Sequence, residues 1–432
     1  MERTLFTKLE QWKNKKKRKP LIIQGARQVG KTWIMKEFGA RFFKETIYIN
    51  FDNNEIMKKV FETDFDILRI ISAIKIEYGK SFDVEETLII FDEIQEAPKA
   101  LASLKYFYEN APQYAIVAAG SLLGVALHQG TSFPVGKVDF MQLYPFDFYE
   151  FVCAMGEIQL AQLLVSNDYE MINAYSSRYI ELLKKYYYIG GMPEVVQTYV
   201  DTDDFYEVRD VQKNLLKYYE EDFSKHAPKE VVPRIMMVWN SIPSQLAKEN
   251  RKFIYGSMRE GARAKDFELA IQWLEDAGLI IRSYRITKPD IPLIAYMEMN
   301  SFKMFMSDVG LLGAKANIHA KVLLDGCRIF EEFKGALTEQ FVAQQLKASD
   351  RELYYYSTEN STGEIDFVIQ QEMKCIPIEV KAEENLRAKS LHAFVGKYEP
   401  EIAVRSSMSN YREQDWMVNV PLYVLAQYLE KQ

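Results

Sequence analysis

The first 150 residues alternate short apolar runs with stretches of helical periodicity, which predicts a parallel β-sheet with crossover helices. The runs are almost continuously apolar, as is typical of strands buried on both faces of a sheet. They are PLIIQ (Pro20–Gln24), TIYINF (Thr46–Phe51), TLIIFD (Thr87–Asp92), YAIVAAG (Tyr114–Gly120) and KVDFMQLYPF from Lys137. The pattern therefore predicts an α/β domain at the amino-terminal end of the chain.

Two further regions follow, and each has a different pattern of hydrophobic and polar residues. From residue 151 to 288 the pattern is helical and rich in aromatic residues, and it closes with a helix, a turn, a helix and a short strand pair. Residues 289–432 combine a helix from Gly335 to Ser349 with strands near Leu353, Ile365 and Ile376. We therefore predict an α/β domain at 1–150, a helical and winged-helix region at 151–288 and a C-terminal α/β domain at 289–432.

Composition narrows the class of protein. The chain has 432 residues with 54 basic and 61 acidic side chains, so no net positive field draws it to nucleic acid. Three cysteines, at positions 153, 327 and 375, are too far apart for a zinc site or a disulfide framework. The longest apolar stretch, Tyr114–Leu127, is short and contains glycine, and the start MERTLF lacks an export signal. We expect a cytoplasmic protein with no membrane contact.

The strongest motif follows the first predicted strand. It matches G-x-x-x-x-G-K-[ST] in full, and a helical pattern comes directly after it. In such a loop the glycines let backbone N–H groups point at phosphate oxygens, the lysine reaches the β- and γ-phosphates, and the hydroxyl binds Mg²⁺. The alternative is an ordinary glycine-bearing turn between a strand and a helix. The candidate phosphate-binding residues are Gly25, Ala26, Arg27, Gln28, Val29, Gly30, Lys31 and Thr32.

A second motif, TLIIFDEIQEAP, ends a strand with paired carboxylates. Asp92 would hold Mg²⁺ and Glu93 would polarise the attacking water, since ligands bind at the carboxyl ends of parallel strands. Gly120 and Ser121 end the next strand. Ser121 is a candidate contact for the γ-phosphate or the lytic water, and capping the following helix explains it equally well.

These motifs resemble those of the AAA+-type ATPases of bacteria and archaea, which commonly read G-x-R-x-x-G-K-T, D-E-x-Q and G-S. Here Arg27 lies within the loop, Asp92-Glu93-Ile94-Gln95 forms the acidic motif and Gly120-Ser121 ends the sensor strand. The resemblance implies a P-loop ATPase that uses ATP and Mg²⁺ and often assembles into oligomers. Many members carry Gly-Arg at a position where the arginine is a candidate arginine finger. This chain has Gly136-Lys137 there, and lysine lacks the planar fork of arginine.

The resemblance continues to the end of the chain. These ATPases often have a helical and winged-helix middle and a C-terminal domain of unclear role with a restriction-endonuclease-like core. The segments that match this layout are YYYIGGMPEVV, FKMFMSDVGLL and GALTEQFVAQQL. The resemblance therefore implies a nuclease-like C-terminal α/β domain.

The C-terminal strands carry their own candidate chemistry. A hairpin that turns between Glu372 and Met373 places Asp366 opposite Glu379, with both carboxylates on one face of adjacent strands. Lys381 shares that face. Because opposed carboxylates repel each other, we expect a cation between them.

A divalent metal is the simplest cation for this place, with Glu339 on the preceding helix as a third acidic ligand and Lys381 acting on a hydrolytic water. The hypothesis is metal-dependent cleavage of nucleic acid, gated by the ATPase. One alternative is a surface ion pair of Lys381 on an edge hairpin. Another is a degenerate nuclease fold that binds a partner and makes the chain a nucleotide-controlled interaction module.

The winged-helix stretch also offers basic side chains for phosphates. Acidic neighbours reduce the positive charge of this patch. A structural role for the winged helix in packing is therefore favoured over sequence-specific DNA binding. The partners considered are therefore ATP, nucleic acid through the winged-helix or C-terminal region, a protein, and further copies of the chain. The basic residues are Arg259, Arg263, Lys265, Arg282 and Arg285.

Overall fold

The structure is a computed structural model, and it describes residues 2–79, 81–120, 134–248, 252–324, 331–358, 363–382 and 388–432. The chain divides into two compact units. The first comprises Glu2–Tyr144 with Asp276–Gly278, and the second comprises Pro145–Glu275 with Leu279–Gln432. Each unit contains its own β-sheet. Within the described ranges, no helix has the length and apolar character that crossing a bilayer requires.

The first unit is built on a five-stranded, wholly parallel sheet in the order β2-β3-β4-β1-β5. The predicted parallel α/β sheet is thus confirmed. Its strands are β1 (Leu21–Gln24), β2 (Glu45–Asn50), β3 (Thr87–Asp92), β4 (Ala115–Ala119) and β5 (Asp139–Gln142). The helices are α1 (Leu5–Lys13), α2 (Lys31–Phe42), α3 (Glu55–Thr63), α4 (Ile67–Tyr78) and α5 (Pro98–Asn110).

Both faces of this sheet are covered by apolar side chains, as the continuous apolar runs predict. In β3, Ile89 and Phe91 join the core cluster on one face, while Leu88 and Ile90 join the cluster on the other. In β1, Ile22 belongs to the first cluster. Because side chains alternate along a strand, a strand buried on both faces must be apolar at every position.

The second unit begins with a run of helices. Asp147, Asp168 and Asp204 cap three of them by accepting hydrogen bonds from first-turn N–H groups, as expected of N-cap aspartates. The described helices up to residue 276 are α6 (Phe148–Ala154), α7 (Ile158–Leu164), α8 (Tyr169–Ala174), α9 (Ser176–Ile189), α10 (Pro193–Thr202), α11 (Phe205–His226), α12 (Val232–Leu246) and α13 (Ala264–Asp276).

An eight-stranded mixed sheet follows, in the order β12-β13-β11-β10-β9-β8-β6-β7. The strands are β6 (Ile280–Ile286), β7 (Met297–Met306), β8 (Tyr354–Ser357), β9 (Glu364–Gln371), β10 (Lys374–Val380), β11 (Val404–Ser407), β12 (Arg412–Gln414) and β13 (Met417–Pro421). The remaining helices are α14 (Val309–Lys315), α15 (Ala320–Leu324), α16 (Glu331–Ala348), α17 (Lys389–Tyr398) and α18 (Leu425–Leu429).

Of the short strand pair predicted before residue 288, the described residues contain one strand, β6, which belongs to this sheet. β6 pairs antiparallel with β7 and parallel with β8, so it joins the middle region to the C-terminal strands. The sequence predicts three parts, whereas the packing groups the regions that we placed at 151–288 and 289–432 in one compact unit. The reason is that hydrogen bonds between β6 and β8 cross that predicted boundary.

The three segments that carry the resemblance beyond the ATPase meet at a buried aspartate. Asp308 Oδ2 accepts hydrogen bonds from Gly191 N at 2.6 Å and from Gln344 Nε2 at 3.2 Å. Gly190 has φ +78°, and a Cβ there would lie 2.2 Å from Asp308 Oδ1, so only glycine fits. Burial raises the pKa of Asp308, and these donors offset part of that effect.

Candidate functional site

The predicted phosphate loop lies between β1 and α2, at the carboxyl edge of the first sheet. Gly25 has φ +151°, and a Cβ there would lie 2.2 Å from the carbonyl oxygen of Leu143. Gly30 has φ +97° and directly precedes α2. Both glycines are therefore required by the backbone path. The first turn of α2 leaves its N–H groups without intrahelical acceptors, and these groups suit phosphate oxygens.

Lys31 is the first residue of α2, and only 6% of it is exposed. Its ammonium donates hydrogen bonds to the carbonyl oxygens of Gly25 and Ala26, both at 2.8 Å. Burial lowers the pKa of Lys31 to about 8, although the negative charges of Glu93 and Asp92 act in the opposite direction. Phosphate oxygens would replace the loop carbonyls as acceptors when a nucleotide binds.

Asp92 ends β3 and is buried. Its Oδ2 accepts hydrogen bonds from Thr32 Oγ1 at 2.6 Å and from the Tyr48 hydroxyl at 2.8 Å, and Oδ1 accepts one from Glu93 N at 3.1 Å. Burial and the Asp92 charge raise the pKa of Tyr48, so that its hydroxyl stays a donor. The loop threonine and the strand aspartate are thus brought together as predicted from their motifs.

Thr32 and Asp92 together form a donor set that fits Mg²⁺. Both offer hard oxygen ligands, and Mg²⁺ is usually held by one or two carboxylates together with substrate phosphates and water. A bound Mg²⁺ would neutralise charge on the β- and γ-phosphates. Thr32 and Asp92 would hold the ion, and Tyr48 would keep the Asp92 carboxylate oriented.

Glu93 follows Asp92 in the left-handed backbone region, with φ +49°. Gln95 Nε2 donates a hydrogen bond to Glu93 Oε2 at 2.6 Å, which fixes the direction of that carboxylate. A non-glycine residue in this region costs free energy and marks a locally constrained position. Ser121, the third predicted residue at this edge, lies outside the described residues.

Tyr48 and Gln95 were given no role by the sequence reasoning. Tyr48 lies in β2, which pairs with β3, and its hydroxyl reaches Asp92 across the two strands. A polar aromatic residue in a buried strand was the available signal. Gln95 lies within the D-E-x-Q string, where its spacing from Glu93 was the clue.

The candidate finger position, Lys137, lies away from this site. It precedes β5, which runs parallel to β1, so Lys137 is at the amino edge of the sheet while the loop is at the carboxyl edge. Its ammonium pairs with Glu109 at 2.9 Å. Within its own unit, Lys137 therefore serves an ion pair between α5 and the approach to β5.

The C-terminal hairpin has the predicted register. β9 and β10 pair from Gln371↔Lys374 to Phe367↔Ile378, which is the alignment that places Asp366 and Glu379 on adjacent strands. The two strands lie in the interior of the eight-stranded sheet, and only 3% of Glu379 is exposed. The hairpin of the ion-pair alternative is therefore not an edge hairpin, whereas its Lys381–Glu379 ion pair is present, at 2.9 Å.

The cation among these carboxylates is a lysine that the sequence analysis did not consider. Lys303 in β7 is fully buried, and its ammonium lies 2.5 Å from Glu364 Oε1, 3.5 Å from Glu339 Oε2 and 3.9 Å from Asp366 Oδ1. The signal for it was a lysine within the apolar string FKMFM.

The predicted metal-binding group is not assembled in the part of the chain that the structure describes. No cluster of three or more His, Cys, Asp or Glu side chains there has the geometry to hold a metal ion. Asp366 Oδ2 accepts a hydrogen bond from Val380 N at 2.7 Å, and Lys381 pairs with Glu379 at 2.9 Å. Burial raises the pKa of Glu379, and Lys381 partly offsets this effect. Side-chain ammoniums thus compensate the carboxylates for which we had proposed a divalent metal.

Two of the basic residues proposed for nucleic acid are engaged within the fold. Arg282 pairs with Glu275, and Arg285 Nη1 donates to Glu298 at 2.8 Å while its Nη2 donates to the carbonyl oxygen of Ser357 at 2.7 Å. These contacts favour the packing interpretation of the predicted winged helix.

The parallel sheet, the loop and the paired acids define a P-loop nucleotide-binding domain. Residues 17–152 match the family described as AAA domain. Residues 180–322 and 334–425 match two domains of unknown function, DUF8612 and DUF4143.

No curated protein matches the chain. Among solved structures, it is similar to a Walker-type ATPase of Pyrococcus abyssi, with 16% identity and a TM-score of 0.44 over 72% of this chain and 94% of that one. It is also similar to Cdc6p from Pyrobaculum aerophilum, with 11% identity and a TM-score of 0.21 over 71% of this chain and 88% of that one. Neither likeness is close enough to bear on function.

Proposed function

We propose that the chain is an ATP-dependent switch whose first unit binds and hydrolyses ATP with Mg²⁺. The observation that carries the proposal is the convergence of Lys31, Thr32 and Asp92 at one edge of a parallel sheet within an AAA-type domain. Lys31 would bind the β- and γ-phosphates, and the loop N–H groups would position them. Ser121 remains a predicted contact of the γ-phosphate.

Glu93 is proposed to position and polarise the attacking water. It is next to the Mg²⁺ candidate Asp92, and the hydrogen bond from Gln95 Nε2 at 2.6 Å holds its carboxylate in one direction. A carboxylate held in place beside the phosphates can accept a proton from water as that water attacks. Gln95 is then a positioning residue for Glu93.

Exchange of Glu93 for glutamine is expected to preserve ATP binding and to lower turnover about 100-fold or more, because the amide cannot accept the proton. The Glu93→Gln variant should be compared with wild type in a phosphate-release assay and in an ATP-binding titration. The matched control is Glu96→Gln, an exposed glutamate one helical turn further along, which should leave both quantities unchanged. Wild-type turnover by Glu93→Gln would assign the base to another residue.

The buried charge of Lys31 gives nucleotide binding a specific pH dependence. In the nucleotide-free protein, Lys31 loses its proton above about pH 8. In the complex with ATP, the phosphate charges would raise the pKa of Lys31. Between these two pKa values binding takes up a proton, so ATP affinity should fall as pH rises, by up to about tenfold per pH unit. Calorimetry at pH 8.5 in buffers of different ionisation enthalpy measures this proton uptake.

The matched variant for this pH effect is Lys31→Arg, because a guanidinium stays protonated throughout the range. Any nucleotide that this variant still binds should be bound without proton uptake. Equal uptake by wild type and Lys31→Arg would assign the proton to another group.

For the second unit, we propose a non-catalytic role in binding a protein or nucleic-acid partner under control of the nucleotide state. The supporting observation is the buried ammonium of Lys303 among Glu339, Glu364 and Asp366, where the nuclease hypothesis needs a metal. Nuclease activity is the competing candidate. Cleavage of DNA or RNA in Mg²⁺ or Mn²⁺ that disappears in Asp366→Asn would overturn the non-catalytic role.

A further inference from the structure

A cavity of about 840 Å³ opens on the second unit beside the start of α11. Its wall includes Tyr188 from α9, Phe205 and Tyr206 from α11, and Ile318. Its volume is in the range of small-molecule sites, and aromatic walls are typical of such sites. The cavity is formed entirely by residues of one compact unit.

Arg209 is the residue that distinguishes this cavity from a surface groove. It lines the cavity, yet only 8% of it is exposed. Its Nη2 donates to the carbonyl oxygen of Ile318 at 2.7 Å and its Nε donates to the Tyr188 hydroxyl at 3.2 Å. The same guanidinium lies over the ring of Tyr188, 4.3 Å from the centroid.

These contacts hold the guanidinium in place but do not neutralise it. Among the described residues, the buried Nη1 has no hydrogen-bond partner, and the bonds from Nε and Nη2 go to neutral oxygens. Burial lowers the pKa of Arg209, and Tyr188 offsets part of that effect. Burying an arginine that has no carboxylate partner costs free energy of folding. An anionic ligand that binds the guanidinium would offset this cost.

Three acidic side chains line the cavity, namely Asp203, Asp204 and Asp210, and the first two have partners elsewhere. Asp204 caps α11 by accepting a hydrogen bond from Tyr206 N at 2.6 Å, and Asp203 is hydrogen-bonded to Tyr199. Lys213 and Lys321 are exposed at the same rim and add positive charge to it. Asp203 and Asp204 are therefore engaged away from the guanidinium of Arg209.

We propose that this cavity binds a small organic anion, whose carboxylate or phosphate pairs with Arg209 and whose apolar body packs against Phe205 and Tyr206. The two anions share one chemistry, since each offers oxygens that accept hydrogen bonds from the guanidinium fork. A small molecule is favoured over a protein segment because the site is a concave cavity of about 840 Å³. The proposal is independent of the assignment of the phosphate loop.

The test is a calorimetric titration of the full-length chain carrying Lys31→Ala, which removes the main phosphate-binding side chain from the loop. The probes are phenyl phosphate and benzoate, with inorganic phosphate and the neutral benzyl alcohol for comparison. We expect one or both aromatic anions to bind, and to bind at least tenfold more tightly than inorganic phosphate or benzyl alcohol. Preference for phenyl phosphate or benzoate identifies the anionic group.

In the same background, Arg209→Met should abolish binding of the aromatic anions. Arg209→Lys keeps the charge but lacks the fork, so it should weaken binding about tenfold and it covers the case that Arg209→Met does not fold. Arg234→Met replaces an exposed arginine of the same unit and should bind as the parent does. The proposal would be overturned if no probe bound, or if the Arg209→Met variant bound the aromatic anions as tightly as the parent does.

Discussion

Replacing Lys31 by alanine is expected to weaken ATP binding about 100-fold or more. Hydrogen bonds to charged groups contribute about 1.5–3 kcal/mol each, and the Lys31 ammonium would meet more than one phosphate oxygen. A loss of about 2.7 kcal/mol already corresponds to a factor of about 100 in the dissociation constant. Titration with ATP in the presence of Mg²⁺, followed by calorimetry, measures the change.

The stability of the nucleotide-free variant separates this effect from a folding defect. Burial disfavours the charged form of Lys31, as its lowered pKa shows. Alanine removes that cost, so the thermal midpoint of Lys31→Ala should not fall below that of wild type. Lys44→Ala, which removes an exposed lysine paired with Glu86, is the matched control for ATP affinity. Wild-type affinity in Lys31→Ala would refute the assignment of the loop.

The second large effect is expected at Lys303. Its replacement by methionine removes the buried ammonium and leaves Glu339, Glu364 and Asp366 without this cation. Removing one partner of a buried charge group typically costs about 3–5 kcal/mol of unfolding free energy. Urea denaturation of Lys303→Met at pH 8, followed by circular dichroism, should show a loss of this size.

The loss should shrink at lower pH. Without the ammonium of Lys303, the charged form of a buried carboxylate is disfavoured in the folded state and not in the unfolded chain. The folded variant then binds more protons than the unfolded one, so its stability falls as pH rises through the range in which these carboxylates titrate. We therefore expect a smaller difference from wild type at pH 5 than at pH 8.

A divalent cation provides an independent measurement on the same variant. If the ammonium holds the place of a metal ion, Mn²⁺ should raise the thermal midpoint of Lys303→Met and leave that of wild type unchanged. The control is Lys374→Met, which removes a half-buried lysine of β10 that pairs with Glu401. This substitution should lower the free energy of unfolding by no more than about 1 kcal/mol. The counter-ion role would be contradicted if Lys303→Met lost as little unfolding free energy as this control and the loss did not depend on pH.

The two sites show different limits of inference from sequence. The loop and the paired acids were found because short spacing fixes them: a strand, a tight turn and a helix place Gly25, Lys31 and Thr32 together without help from distant residues. The hairpin register followed in the same way from alternation over β9 and β10. The metal prediction could not be made from local spacing alone. The C-terminal carboxylates do have a cation among them, but that cation is Lys303 from β7, a different segment of the chain.

Sequence alone thus determined the parallel sheet of the first unit, its phosphate loop and the alignment of the C-terminal hairpin. Each of these depends on neighbours in the chain, and on side chains that alternate with the period of a strand. Tertiary structure decided that Tyr48 supports Asp92, that Lys303 compensates the C-terminal acids and that Arg209 is buried beside a cavity. Those contacts join residues far apart in the chain, and no local pattern encodes which buried polar groups will meet.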